Sequence, residues 1–189
     1  MKRFLGLSLI LLFCGVVGAQ TPVPFAALER QVKSEGGWGG SKPLAREFNA
    51  ERKRLGDRFE TELLKYVGSD IERHYWTSVF LEDTGYLQGN TPLPHLSLLL
   101  KQQALALLDG KRDQDSLMSV VMLSVTAAVL AERLHLHALA VSYKTTAQSL
   151  IDRDPDFGGG FPALSSDERM MYNAIPVSKK DNVLKPRNR

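Results

Sequence analysis

The chain has 189 residues, with 24 basic and 21 acidic side chains, a formal net charge of +3, 43% hydrophobic and 24% charged residues, and one cysteine. These values exclude a collagen-like repeat, a disulfide-stapled miniprotein and a largely disordered chain. The length suits one domain that buries most of its apolar surface without metals or disulfides.

Residues 1–19 read as a cleavable export signal. Lys2 and Arg3 form the positive start, 4–17 is an apolar run without a charge, and Val17-Gly18-Ala19 supplies the cleavage positions. The run is shorter than the about 20 apolar residues that span a bilayer. Pro22 and Pro24 stop any helix from continuing. Cys14 follows Phe13, which is bulky where a lipidation motif wants a small residue. Cleavage after Ala19 leaves a chain without cysteine. A disulfide-free exported domain points to a bacterial periplasmic or secreted protein.

The rest of the chain reads as helices. A first one covers 25–34, with Phe25, Leu28 and Val32 as its apolar stripe, and ends at Gly36 and Gly37. The loop 36–40 carries Trp38. From 41 to about 67, Leu44, Phe48, Leu55, Phe59, Leu63 and Tyr66 share one face, with a weak point at Gly56. Arg52-Lys53-Arg54 is interleaved with Glu47, Glu51, Asp57 and Glu60, so it reads as a solvated mixed face. Ser69-Asp70-Ile71-Glu72 reads as a capping box for a helix over 70–82, with Ile71, Tyr75, Val79 and Trp76 inward.

A loop with Gly85 and Gly89-Asn90 precedes a helix from Thr91-Pro92 to Leu108, capped by Gly110. Its apolar residues include Leu93, Leu96, Leu99, Leu100, Ala104, Leu107 and Leu108. No residue from 116 to 131 is charged, which predicts a central buried helix. A second helix, 137–152, returns after a tight turn, with Ala138, Val141, Ala147, Leu150 and Ile151 set against Ser142, Lys144, Gln148 and Ser149. A loop over 154–162 leads to a capping box at Ser165–Glu168 and a last short helix through Ala174. Pro176 is expected to end the ordered chain. The predicted fold is all-α: a compact bundle of about six or seven helices around a central apolar hairpin, 116–152. Residues 20–176 form a single domain and 177–189 a disordered basic tail.

In the hairpin, Ala140, Tyr143, Ala147, Leu150 and Asp154-Pro155 resemble the second helix of a tetratricopeptide-type repeat. The spacing departs from that family. Eight residues separate Ala147 from Pro155, where the family keeps about five, and no second copy is visible. A generic antiparallel helical hairpin explains the same residues, and no binding residue is carried over.

Metal readings are limited. Asp152, Asp154 and Asp156, followed by Gly158, are alternating carboxylates of the kind that bind calcium. A calcium hand wants glycine at the sixth position and glutamate at the twelfth, where this chain has Phe157 and Ala163. A solvated acidic loop is therefore the preferred reading. Glu132-x-x-His135 has the spacing of a di-iron helix pair but lacks a second copy, and histidines at 135 and 137 suit a helix end. Gly158-x-Gly160-x-x-Ala163 fits a relaxed dinucleotide fingerprint by letter and fails by context, since no strand precedes it. No nucleophile-elbow or zinc-protease motif is present, and a cysteine-free mature chain has no thiol chemistry.

Trp38, His74, Tyr75 and Trp76, with Tyr86 nearby, form the richest aromatic region and are the candidate binding residues. Losing Lys2 and Arg3 leaves 22 basic and 21 acidic residues, and the tail alone holds +4, so 20–176 stands at −3. That balance gives no support to nucleic-acid binding. The tail lacks an apolar face and is expected to give weak, salt-sensitive membrane contact at most. The sequence reading is a non-enzymatic binding or scaffold domain of the cell envelope with a protein or envelope partner and no cofactor. The alternative is a metal-dependent or hydrolytic enzyme assembled from Asp70, His74, Glu132 and His135.

Overall fold

A computed structural model describes residues 25–33, 41–82, 93–160 and 164–178. The segment read as an export signal, Trp38, Tyr86, the start at Thr91-Pro92 and the tail from 179 lie outside the described residues. Among the described residues eight α-helices follow one another: α1 (Ala26–Lys33), α2 (Ser41–Leu55), α3 (Phe59–Val67), α4 (Ile71–Glu82), α5 (Pro94–Leu108), α6 (Gln114–Arg133), α7 (His137–Ile151) and α8 (Ser166–Ala174). Among the described residues there is no strand. The all-α fold is as the periodicity predicts. Counting α2 and α3 as one bent rod gives seven helices.

The bend comes from Gly56. Its φ of +52° suits a residue without Cβ, and a 3-10 turn, Gly56–Arg58, separates the two helices there. The predicted face still holds on both sides: Phe48, Phe59 and Leu63 are buried and Leu44, Leu55 and Tyr66 half-buried, with Val67 added to the buried set. Arg46, Glu47, Lys53, Arg54, Asp57 and Glu60 face solvent, and Arg30 and Arg54 pair with Glu47 and Glu51.

The core has two main parts joined through α5. One gathers α1 to α4 with Leu96 and Leu100 of α5. Phe25 is its centre, with ring centroids of Phe48, Phe59 and Tyr66 at 6.3, 6.0 and 5.2 Å. Phe25 sits at φ +57°, a conformation that costs a non-glycine residue roughly 1–2 kcal/mol. Full burial of its ring and an amide hydrogen bond to Glu51 Oε2 at 2.8 Å offset that cost. The other part gathers α6, α7, α8 and the 3-10 turn Pro155–Gly160 with Leu98 of α5.

The central position of α6 follows from its sequence. Asp113 caps it by accepting the Ser116 N–H at 2.9 Å. It packs against α5, α7 and α8 and buries Val121, Leu123, Val125 and the run Ala127–Ala131. By length and composition α6 could cross a membrane, yet half of its apolar stretch is buried inside the fold.

The helix ends with a Schellman motif: Leu136 N–H donates to Ala131 O at 2.8 Å, and His135 N–H to Glu132 O at 2.9 Å. His135 holds the left-handed position of that motif at φ +59°. Glycine holds the same kind of position after α5, where Gly110 has φ +78°.

Three local expectations need correction. Asp70, not Ser69, caps α4: its Oδ1 accepts the Arg73 N–H at 3.1 Å, so the cap is shifted by one residue. The buried residues of α4 are His74, Trp76, Thr77, Ser78, Phe80 and Leu81, whereas Ile71, Tyr75 and Val79 are half-buried. The reason is that α4 is covered by α1 on one side and α5 on another, so periodicity alone does not identify its inner face. Third, the chain holds its place beyond Pro176, where the Ser178 N–H donates to Thr145 Oγ1 at 2.9 Å.

The predicted capping box of α8 is formed. Ser165 N–H donates to Glu168 Oε2 at 2.9 Å, and Ser165 Oγ accepts the Glu168 N–H at 3.3 Å. Arg133 adds an ion pair to Glu168 at 2.8 Å. Burial alone raises the Glu168 carboxyl pKa, but the Ser165 hydrogen bonds and Arg133 outweigh it and hold it below its usual 4.5. A depressed carboxylate contributes stability above its unfolded-state value and loses it as pH falls through the folded one. Amide hydrogen exchange should therefore find α8 losing protection below about pH 4.5 before α6 does. Equal loss in both helices would count against the capping role.

Candidate functional site

Tyr75 and Trp76 line a groove of about 240 Å³ between α4 and α6. Ile71 and Glu72 of α4, and Ser119, Met122 and Leu123 of α6, complete it. Its floor is a small core cluster, Ala104 and Leu108 of α5 with Leu123 of α6, against which Ile71, Tyr75 and Val120 pack. The α6 wall of the groove belongs to a stretch whose apolar residues are only partly covered among the described residues. Leu117, Met118, Val120 and Met122 are each only partly buried.

The two aromatic rings meet edge to face, with centroids 5.2 Å apart and planes at 71°. Burial, with a smaller contribution from the Glu82 charge, pushes the Tyr75 phenol above its usual pKa of 10, so it is neutral at physiological pH. Glu72 is exposed and brings the one carboxylate of the lining. The Ser119 hydroxyl already donates to Asp115 O at 2.9 Å. Apolar walls, an aromatic pair and a single charge suit an apolar side chain or an acyl group, and offer no activated nucleophile.

A buried polar cluster lies between α4 and α5. Lys101, only 1% exposed, pairs with Glu82 at 3.0 Å and donates to Ser78 Oγ at 3.0 Å. Ser97 Oγ lies within hydrogen-bonding reach of both Glu82 Oε1 and Ser78 O, its one proton shared between them, and Ser78 Oγ donates to Tyr75 O at 2.7 Å. A serine beside a lysine acts as a nucleophile and base only where the lysine is neutral and the serine is reachable. Here Lys101 is held in an ion pair by the Glu82 carboxylate at 3.0 Å, and Ser78 is wholly buried. The cluster's role is to tie α4 to α5. Sequence reading missed it, although Ser78–Glu82 and Ser97–Lys101 are both spaced i, i+4 and so share helix faces.

His74 separates from the aromatic pair. It is buried, and its Nδ1–H donates to the Asp70 carbonyl at 2.7 Å, so the ring is a structural core group. Trp38 lies outside the described residues. Asp152 Oδ1 accepts from Gln148 Nε2 at 2.7 Å, and Asp154 Oδ1 accepts the Asp156 N–H at 3.0 Å, which caps the 3-10 turn that begins at Pro155. Among the described residues no three His, Cys, Asp or Glu side chains converge on a point where a metal would sit. Asp152, Asp154 and Asp156 are not so arranged, nor are Asp70, His74, Glu132 and His135. Gly158 and Gly160 belong to a 3-10 turn that follows a helix, which is not the strand-to-helix setting of a dinucleotide site.

No protein-family model, curated protein or solved structure matches this chain.

Proposed function

We propose that this chain is an exported, non-enzymatic helical domain that binds another protein or a cell-envelope component through the groove between α4 and α6. Export rests on the signal-like pattern of residues 1–19. The binding role rests on one observation: Tyr75 and Trp76 line an apolar groove with Met122 and Leu123, on a face of α6 that the fold leaves half open. Aromatic residues in a concave apolar setting are the side chains that carry most interface energy. The basic tail adds weak, salt-sensitive contact with anionic surfaces.

The test is a comparison of two immobilised proteins exposed to solubilised cell-envelope material. The natural chain should retain a partner that Met122→Glu releases. A charge placed among apolar contacts should weaken binding at least about tenfold. Met122 is half-buried, so the thermal melts of the two proteins should first be matched. Equal retention by both would defeat the proposal, as would retention of nothing by either.

A further inference from the structure

The groove between α4 and α6 holds one charge that the fold leaves unanswered. Glu72 lines it and is exposed, and its carboxylate has no ion pair or hydrogen bond among the described residues. The neighbouring cation is committed elsewhere. Arg73 pairs with Glu29 at 3.2 Å, lies 3.6 Å from Asp70 and donates to the Tyr66 carbonyl at 3.3 Å. The lining contains no lysine or arginine, and Lys111 and Arg112, in the turn before α6, stand outside it.

Glu72 precedes Tyr75 by three positions and Trp76 by four, which sets all three on one face of α4. A carboxylate beside two aromatic rings suits a cation, which the rings attract and the carboxylate neutralises. The chain builds a trio of this kind for itself. Arg73 lies over the Tyr66 ring, 4.9 Å from its centroid, and pairs with Glu29, which also accepts the Tyr66 hydroxyl at 2.8 Å. The opposite wall of the groove bears on what carries the cation. Met122 and Leu123 of α6 are apolar, so they suit an aliphatic stem and not a bare ion. A volume of about 240 Å³ is below the roughly 300–1,000 Å³ of small-molecule pockets, and fits one side chain of a larger partner.

We propose that the groove receives an arginine side chain of a partner protein, with its guanidinium against Glu72 and Tyr75 and its aliphatic stem along Met122 and Leu123. This rests on the groove reading above and adds the chemistry of what enters the groove. Arginine fits better than lysine, because a planar guanidinium both stacks on a ring and grips a carboxylate through two N–H bonds. An anionic head group is disfavoured, since Glu72 would face it with a like charge.

Amide NMR spectra of the isotope-labelled full chain, titrated with two peptides, test the proposal. One is acetyl-Leu-Arg-Leu-amide; the other has citrulline, the neutral analogue of the same shape, in place of arginine. Saturable shifts confined to residues 71–76 and 119–123 are expected with the arginine peptide. The citrulline peptide should bind at least about fivefold more weakly. Glu72→Gln, an exposed and conservative change, should remove most of that preference while leaving the spectrum of the free protein otherwise intact. Equal binding of the two peptides, a preference that survives Glu72→Gln, or no saturable shift in the two segments would each overturn the proposal. The Met122→Glu retention experiment is read separately: if it succeeds where the peptides fail, the groove binds a partner and the arginine assignment alone is lost.

Discussion

Glu82→Ala is expected to lower the stability of the protein by about 3 kcal/mol, with a fall in melting temperature of roughly 6–12 °C. The argument rests on what the substitution leaves behind. Lys101 is almost wholly enclosed, and Glu82 is its ion-pair partner at 3.0 Å. Removing the carboxylate strands an ammonium group in the α4–α5 interface, where the Ser78 hydroxyl is its remaining acceptor among the described residues. An uncompensated buried charge costs far more than an intact buried pair contributes.

The same reasoning predicts that the double replacement Glu82→Leu with Lys101→Met restores most of the loss. The two serines do not become orphans in that variant. Ser97 keeps the Ser78 carbonyl and Ser78 keeps the Tyr75 carbonyl. Urea unfolding of the single and double variants checks both statements. A single variant as stable as the natural chain would refute the pairing.

Lys144→Met is expected to cost about 2–3 kcal/mol. Lys144 lies on α7 and is buried, and its Nζ donates to the carbonyls of Tyr172, Asn173 and Ile175 at 2.8, 3.1 and 2.6 Å. An ammonium group has three N–H bonds, and here all three have an acceptor. They bond carbonyls at the end of α8, so one side chain closes the C-terminal helix onto α7. Burial draws the Lys144 ammonium below the usual lysine pKa. Methionine preserves the length and apolar stem and removes the donors, which takes one partner from each of three carbonyls. Thermal melting gives the size of the effect. Hydrogen exchange should place the lost protection first in α8, and a loss spread evenly over α5 to α7 would contradict this role.

These two lysines mark where reading the sequence stops. The helices were legible because apolar residues recur at three- and four-residue spacing, and because their ends carry local signals. Gly56 breaks the α2–α3 rod, Gly110 caps α5, and Ser165 with Glu168 starts α8, each through chemistry within a few residues. The uncharged stretch of α6 identified the central helix for the same reason. Lys101 and Lys144 carry no such signal, since a lysine on a helix reads as solvent-facing. Their burial depends on partners 19 and about 30 residues away in the chain, which only the packing brings close.

The candidate groove was half legible. Tyr75 and Trp76 stand out by composition, but Met122 and Leu123 join them only because α6 crosses near the start of α4. His74 shares their tripeptide and turns into the core, because neighbours on a helix point in different directions. His135 looked like an ordinary helix-end histidine. Its left-handed backbone is what distinguishes it, and letters alone do not reveal a dihedral angle.

The most direct test of the binding account is a photocrosslinking comparison in a cell-envelope fraction. A benzophenone amino acid is placed at Tyr75 in the groove or at Lys53, which is exposed on the charged face of α2. The account predicts a discrete adduct from position 75 that position 53 does not give. Adducts from neither position, or the same adducts from both, would contradict it.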